Sequence, residues 1–187
     1  MAIELMNSTL RQAFERASQT KIPIILASTT GTTAEEMLHV IGAEKAHLII
    51  VSHDSCQIPR EWRFSDKVIE QLKERGFPVL KNYPVIPFPI QLLRRLAKTF
   101  KISTTNFRDQ VLEETLGTGG RVCFQITRLA LKAYAIHEND VVVAIAGERS
   151  GANTALLLKI ESTRPVCIRL LETIGSFKSN LLRDENG

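Results

Sequence analysis

Ala46-His47-Leu48-Ile49-Ile50-Val51 is an almost unbroken apolar run bounded by polar residues. A strand with one face in water alternates apolar and polar side chains; a continuous run of this length belongs to a strand covered on both faces, as in a parallel sheet. Parallel neighbours need long crossovers, usually helical, so this run commits the rest of the chain to alternating strands and helices. Ile22 to Ala27, Phe77 to Leu80 and Asp140 to Ala146 supply three more apolar runs. Between them lie helical patterns. Leu5 to Ser18 puts Met6, Leu10, Ala13, Phe14 and Ala17 on one face, an amphipathic helix suited to packing on a sheet. Thr33 to Ile41 is closed by Gly42, and Ser65 to Arg75, capped by Ser65 or Asp66, is closed by Gly76. Further patterns run over Ile90 to Lys101, Asn106 to Leu116 and Val122 to Tyr134.

Ala155 to Ile160 follows the fourth run after too few residues for a crossover helix, so it must lie antiparallel to that strand if the two pair. Cys167 to Ile174 is a last strand or a short helix. The expected fold is therefore α/β: a three-layer α/β/α sandwich with a mostly parallel sheet and a late antiparallel strand. It should form one domain over residues 1–178 with a polar tail over 179–187. The segment Tyr83-Pro84-Val85-Ile86-Pro87-Phe88-Pro89 interrupts the alternation; its prolines forbid helix and central strand, leaving a stiff connector, a lid or an oligomer contact.

Charge narrows the partners. Lys and Arg exceed Asp and Glu by 24 to 20, the basic residues are scattered, and aromatics make up 6%. A nucleic-acid surface usually carries a basic stripe with interleaved aromatics, so no nucleic-acid partner is expected. Cys56, Cys123 and Cys167 lie far apart with no metal-ligand spacing, which argues for a reducing compartment and against a zinc site. The first residues show no basic region followed by an apolar core, and the longest apolar run is far from bilayer length. A cytoplasmic protein without metal or membrane contact is the expectation.

The candidate chemistry sits where strands empty into loops. Ile22 to Ala27 is followed by Ser28-Thr29-Thr30-Gly31-Thr32-Thr33 and then a helical pattern from Ala34. That is a strand, a hydroxyl-rich turn and a helix N-terminus, whose unpaired N–H groups and positive dipole end suit a phosphate. The same hydroxyls can equally serve as an ordinary N-cap. A second cluster, Gly117-Thr118-Gly119-Gly120-Arg121, opens the helix from Val122 and offers N–H donors with a cation, or else a hinge between helices. A third polar glycine loop, Gly147-Glu148-Arg149-Ser150-Gly151-Ala152-Asn153-Thr154, follows the fourth strand. Ser52-His53-Asp54-Ser55-Cys56 gathers the residue types of a hydrolase triad. Neighbouring residues at a strand end point to opposite sides, however, so they cannot align as nucleophile, base and orienter. His53 alone of this group stays a candidate ligand contact, since loops at strand ends often line ligand sites.

In order and spacing, these three glycine segments resemble the small stand-alone proteins related to the C-terminal, allosteric domain of pyruvate kinase, across about Asn7 to Lys178. The resemblance implies a pyruvate kinase C-terminal-domain-like fold without the catalytic barrel, hence no pyruvate kinase activity. It also implies that Ser28, Thr29, Thr30, Gly31, Thr32 and Thr33 grip a phosphate group. Gly147, Ser150, Gly151, Asn153 and Thr154 would border the same cleft, and Gly119 and Arg121 would present donors from the long helix. Some members of the family are associated with flavin mononucleotide, FMN, which makes it the implied cofactor; a sugar bisphosphate fills the corresponding turn of the full enzyme. The chain departs from the family at Cys56-Gln57 in place of a Gly-Phe pair, and at Tyr83 to Pro87 in place of a His-x-x-Ser-Gly segment. It departs again at Asn153, which replaces an Asp, and at Arg121, which replaces a Lys. Three functions stay open: a protein that binds a phosphorylated small molecule, an enzyme acting on one with His53, Asp54 or Arg121 taking part, and a structural or homo-oligomeric protein with capped loops.

Overall fold

The computed structural model of the chain describes residues 2–44, 46–52, 64–81, 107–148 and 151–176. In chain order these form α1 (Ala2–Thr20), β1 (Ile24–Ala27), α2 (Thr32–Ile41), β2 (Leu48–Ser52), α3 (Asp66–Glu74) and β3 (Val79–Lys81). They continue with α4 (Phe107–Lys132), β4 (Val141–Glu148), β5 (Gly151–Thr163) and β6 (Val166–Ser176). The connector Tyr83 to Pro89, the helical pattern from Ile90, the segment His53 to Cys56 and the tail from 179 lie outside the described residues.

All six strands join one sheet in the order β3-β2-β1-β4-β5-β6. β1 pairs in parallel with β2 on one side, Ile24 opposite Leu48, and with β4 on the other, Ile24 opposite Val143. β2 pairs in parallel with β3. The apolar runs thus fill the middle of the sheet, where Ile25, Leu26, Ile49 and Ile50 are wholly buried. Beyond β4 the sheet turns antiparallel, and this half extends further than the sequence suggests: β5 pairs with β4 and β6 with β5. The last element is a strand, not a short helix.

Two cores lie on opposite faces. On one, Met6, Leu10, Ala13, Phe14 and Ala17 of α1, Met37 and Ile41 of α2 and Val68 and Leu72 of α3 cover Ile24, Leu26, Ile50 and Ile145. On the other, Cys123, Phe124, Ile126, Ala130 and Leu131 of α4 cover Ile25, Ile49, Ala144 and Leu158. Alternate residues of each buried strand therefore enter alternate cores, as a three-layer sandwich requires. Among the described residues no helix is long and apolar enough to cross a membrane.

α4 is not one rod. Gly117, at φ 73° and ψ 178°, breaks it into helical arms over 107–116 and 118–132. Asp109 and Arg128 stand 19 positions apart, and their side chains meet at 3.1 Å. Along one straight helix that spacing would be about 28 Å. The arms therefore double back on each other at Gly117, whose positive φ an L side chain resists. Of the two readings of the glycine cluster, the structure carries the junction between helices: Gly117 is the one reversal residue, and Gly119, Gly120 and Arg121 lie inside the first turns of the second arm and not in a loop that opens it. The described residues of the third predicted loop are strand: β4 runs through Gly147 and Glu148, and β5 begins at Gly151, with Gly147 opposite Ala152. Antiparallel backbone pairing overrides the loop-like composition here.

Candidate functional site

Leaving β1, the chain still pairs with β2 through Ser28, whose N–H donates to the Val51 carbonyl at 3.0 Å. The Ser28 side chain is buried, and its Oγ accepts from the Ala34 N–H in the first turn of α2 at 3.3 Å. Gly31, at φ 101° and ψ −20°, makes the left-handed turn that aims the next residues into α2. Its carbonyl accepts the Glu35 N–H at 2.9 Å, the first bond of the helix. On the outer side of the turn the exposed Thr30 and Thr32 hydroxyls lie 3.1 Å apart, and the Thr32 N–H reaches Thr30 Oγ1 at 3.5 Å. Part of the N-cap expectation is thus realised by Ser28. Thr30 and Thr32 face outward, with only each other and that long contact for partners among the described residues.

A second helix start abuts the turn. The Ser65 N–H donates to the Thr30 carbonyl at 3.3 Å, and Ser65 occupies the N-cap position of α3 without a side-chain capping bond. The Phe64 ring lies against Gly31, 3.4 Å from where a β-carbon would stand. The positive ends of α2 and α3 therefore share one turn. Motif reading missed Phe64 and Ser65 as parts of this turn; the cap signal at Ser65 was visible, but not its neighbour.

The strand order places this turn. The connection from β1 through α2 to β2 leaves along one face of the sheet, while α4 enters β4 from the other face. β1 and β4 are adjacent, so the crevice outside their carboxyl ends is a topological switch point, where open α/β sheets bind ligands. With Leu26 opposite Ile145, Gly147 at the end of β4 stands beside the start of the hydroxyl turn. Gly147 closely approaches the Gly151 carbonyl, and the Met6 sulfur of α1 fills the space where a side chain at Gly151 would go.

Gly119 reaches the same edge from the α4 face, where any β-carbon on it would run into Thr154. Thr154 and Asn153 are buried there, the Thr154 hydroxyl donating to Asn153 Oδ1 at 3.0 Å. Ser28 to Thr33, Gly147, Gly151, Asn153, Thr154 and Gly119 are thus gathered at one sheet edge, the first six on the α2 side and Gly119 on the α4 side. Arg121 turns elsewhere: its Nε sits 3.1 Å from Glu113 Oε2 on the outer arm of α4. His53 and Ser150 lie outside the described residues.

Cys123 lies beneath this edge, its thiol donating to the Ala144 carbonyl at 3.3 Å. Burial drives its ionisation far above the ordinary thiol range. A protonated, enclosed thiol is a packing group, not a nucleophile. Among the described residues no group of three or more His, Cys, Asp or Glu could hold a metal ion.

No protein-family profile matches the chain. Among solved structures it is similar to the Cryptosporidium parvum pyruvate kinase in complex with ADP, at 14% identity and a TM-score of 0.37. The match covers 89% of this chain and 23% of that enzyme, so the chain spans under a quarter of its length.

Proposed function

We propose that the protein binds a phosphorylated small molecule at the carboxyl edge of its sheet, with the phosphate seated over the turn from Ser28 to Thr33. One observation carries this: two exposed threonine hydroxyls, 3.1 Å apart, crown a left-handed turn on which the N-termini of α2 and α3 converge. Hydroxyl donors, N–H groups and two dipole ends favour the same guest, a multiply charged oxyanion. Thr30 and Thr32 would hold its oxygens, while Ser28, already bonded to Ala34, keeps the turn in shape.

The resemblance to stand-alone relatives of the pyruvate kinase C-terminal domain makes FMN and sugar phosphates the first compounds to try. The turn suits the phosphate end of either. In this reading the chain has no pyruvate kinase activity, and binding is its function.

Thermal denaturation of the full chain with FMN, fructose 1,6-bisphosphate and inorganic pyrophosphate tests the proposal, alongside a visible spectrum of freshly purified protein for flavin. At 100 times its dissociation constant, a bound compound should stabilise the fold by about 2.7 kcal/mol. Thr30→Ala should weaken that compound roughly ten- to a hundredfold, since a hydrogen bond to a charged group contributes about 1.5–3 kcal/mol. A panel that leaves the melting temperature unmoved, or a shift indifferent to Thr30→Ala and Thr32→Ala, refutes it.

A further inference from the structure

The outer arm of α4, over 107–116, is attached differently from the inner one. The inner arm buries Cys123, Phe124, Ile126, Ala130 and Leu131 in the core. Among the described side chains the outer arm contributes to the core only Leu112 and Leu116, both partly buried, and its Val111 is 42% exposed. Its further attachment among those side chains is polar and charged. Glu113 spans the reversal at Gly117, accepting the Thr118 hydroxyl at 3.1 Å through Oε1 and facing Arg121 Nε at 3.1 Å through Oε2. One turn earlier Asp109 accepts from Arg128 Nη1 at 3.1 Å and from Gln125 Nε2 at 3.4 Å. Two carboxylates on one arm thus face two guanidinium groups on the other.

We propose that the outer arm is a hinged cover, held shut by this charge zipper, which swings about Gly117 to uncover Arg121 and Arg128 while the core stays folded. Three features support it. Gly117 supplies a pivot whose backbone, at φ 73° and ψ 178°, already lies outside the helical region. Segments with few buried apolar contacts open at a fraction of the global free energy. And the latch is imperfectly closed: among the described residues Arg121 Nε is buried beside Glu113 with no aligned hydrogen bond, leaving a donor that a better-placed anion can claim. The cover goes beyond the binding function proposed above and stands whether or not that function is correct.

Hydrogen–deuterium exchange on the full-length protein, without ligand, tests the cover. In Glu113→Gln the amides of 107–116 should exchange roughly two- to fivefold faster than in the unsubstituted protein, with those of 123–131 unchanged. Raising ionic strength should speed exchange of 107–116 in the unsubstituted protein and have far less effect in a Glu113→Gln, Asp109→Asn double variant, because screening acts on the pairs that variant lacks. Swapping the charges, Glu113→Arg with Arg121→Glu, should return much of the protection. The cover is refuted if 107–116 and 123–131 speed up together, which would make the arm part of the global folding unit. It is equally refuted if exchange of 107–116 is indifferent to both carboxylates and to salt.

Discussion

Gly119 has no side chain because Thr154 occupies the place where one would begin. Gly119→Ala must push α4 and β5 apart where both are held by core residues, and overpacking of this kind costs about 1–3 kcal/mol. Urea titration should show that loss, with the midpoint lowered and the slope kept. Cys123 gives a second prediction. Its thiol is buried and protonated when folded but titrates near the ordinary value of about 8.5 when unfolded. Its contribution to stability is therefore complete below that pH. Above it the unfolded chain gives up a proton that the folded chain retains, so stability should fall by about 1.4 kcal/mol per pH unit. At neutral pH iodoacetamide should modify the exposed Cys167 in the native protein and reach Cys123 only after denaturation; labelling of native Cys123 would contradict its burial. At this scale the sequence was legible where local rules govern. The α1 core face, Met6 through Ala17, is buried as its spacing predicts. The partner of Arg121 was not legible, because Glu113 meets it only through the reversal at Gly117, which no linear motif expresses.

Among the elements, α2 depends on a side chain from outside itself. Arg75, just past the end of α3, donates to the Gly42 carbonyl at 2.6 Å and the Leu38 carbonyl at 3.5 Å, with its guanidinium 5.2 Å from the Phe77 ring centre. It thereby occupies the Gly42 carbonyl at the helix end, adds a longer second bond to the Leu38 carbonyl that already accepts the Gly42 N–H, and brings a cation to the negative pole of α2. Arg75→Ala should cost about 1 kcal/mol, the usual net value of such bonds, read as a lowered urea midpoint. An unchanged midpoint would mean that water replaces the arginine at no cost. Strand and helix periods also explain the one ambiguous element. β6 carries an extra residue against β5 at Leu171 and again at Ile174. Bulges of this kind break the two-residue alternation by which a strand is recognised in a sequence. Gly147, Glu148 and Gly151 to Thr154 differ from their composition for another reason: it is polar and glycine-rich like that of a loop, while their conformation is set by pairing with a neighbour.

For the molecule as a whole, the reversal of strand order between β1 and β4 organises the site. Continuous apolar runs announced a parallel sheet, and that much follows from burial on two faces. Which strands become neighbours depends on the faces along which α2 and α4 cross, and these are settled only when both cores are filled. The hydroxyl turn was therefore legible as a motif. Its place at the crevice, and its contact with the start of α3, belong to the assembled sheet. The same order sets a timetable for synthesis. Ile24 must pair with Val143, roughly 120 residues later, so β1, although made early, lacks one of its two neighbours until most of the chain exists. At about 5–20 residues per second the nascent β1 waits on the order of ten seconds with one strand edge unpaired on the ribosome. The strand that anchors the candidate site is thus also where a nascent chain is most open to a chaperone or to a wrong strand.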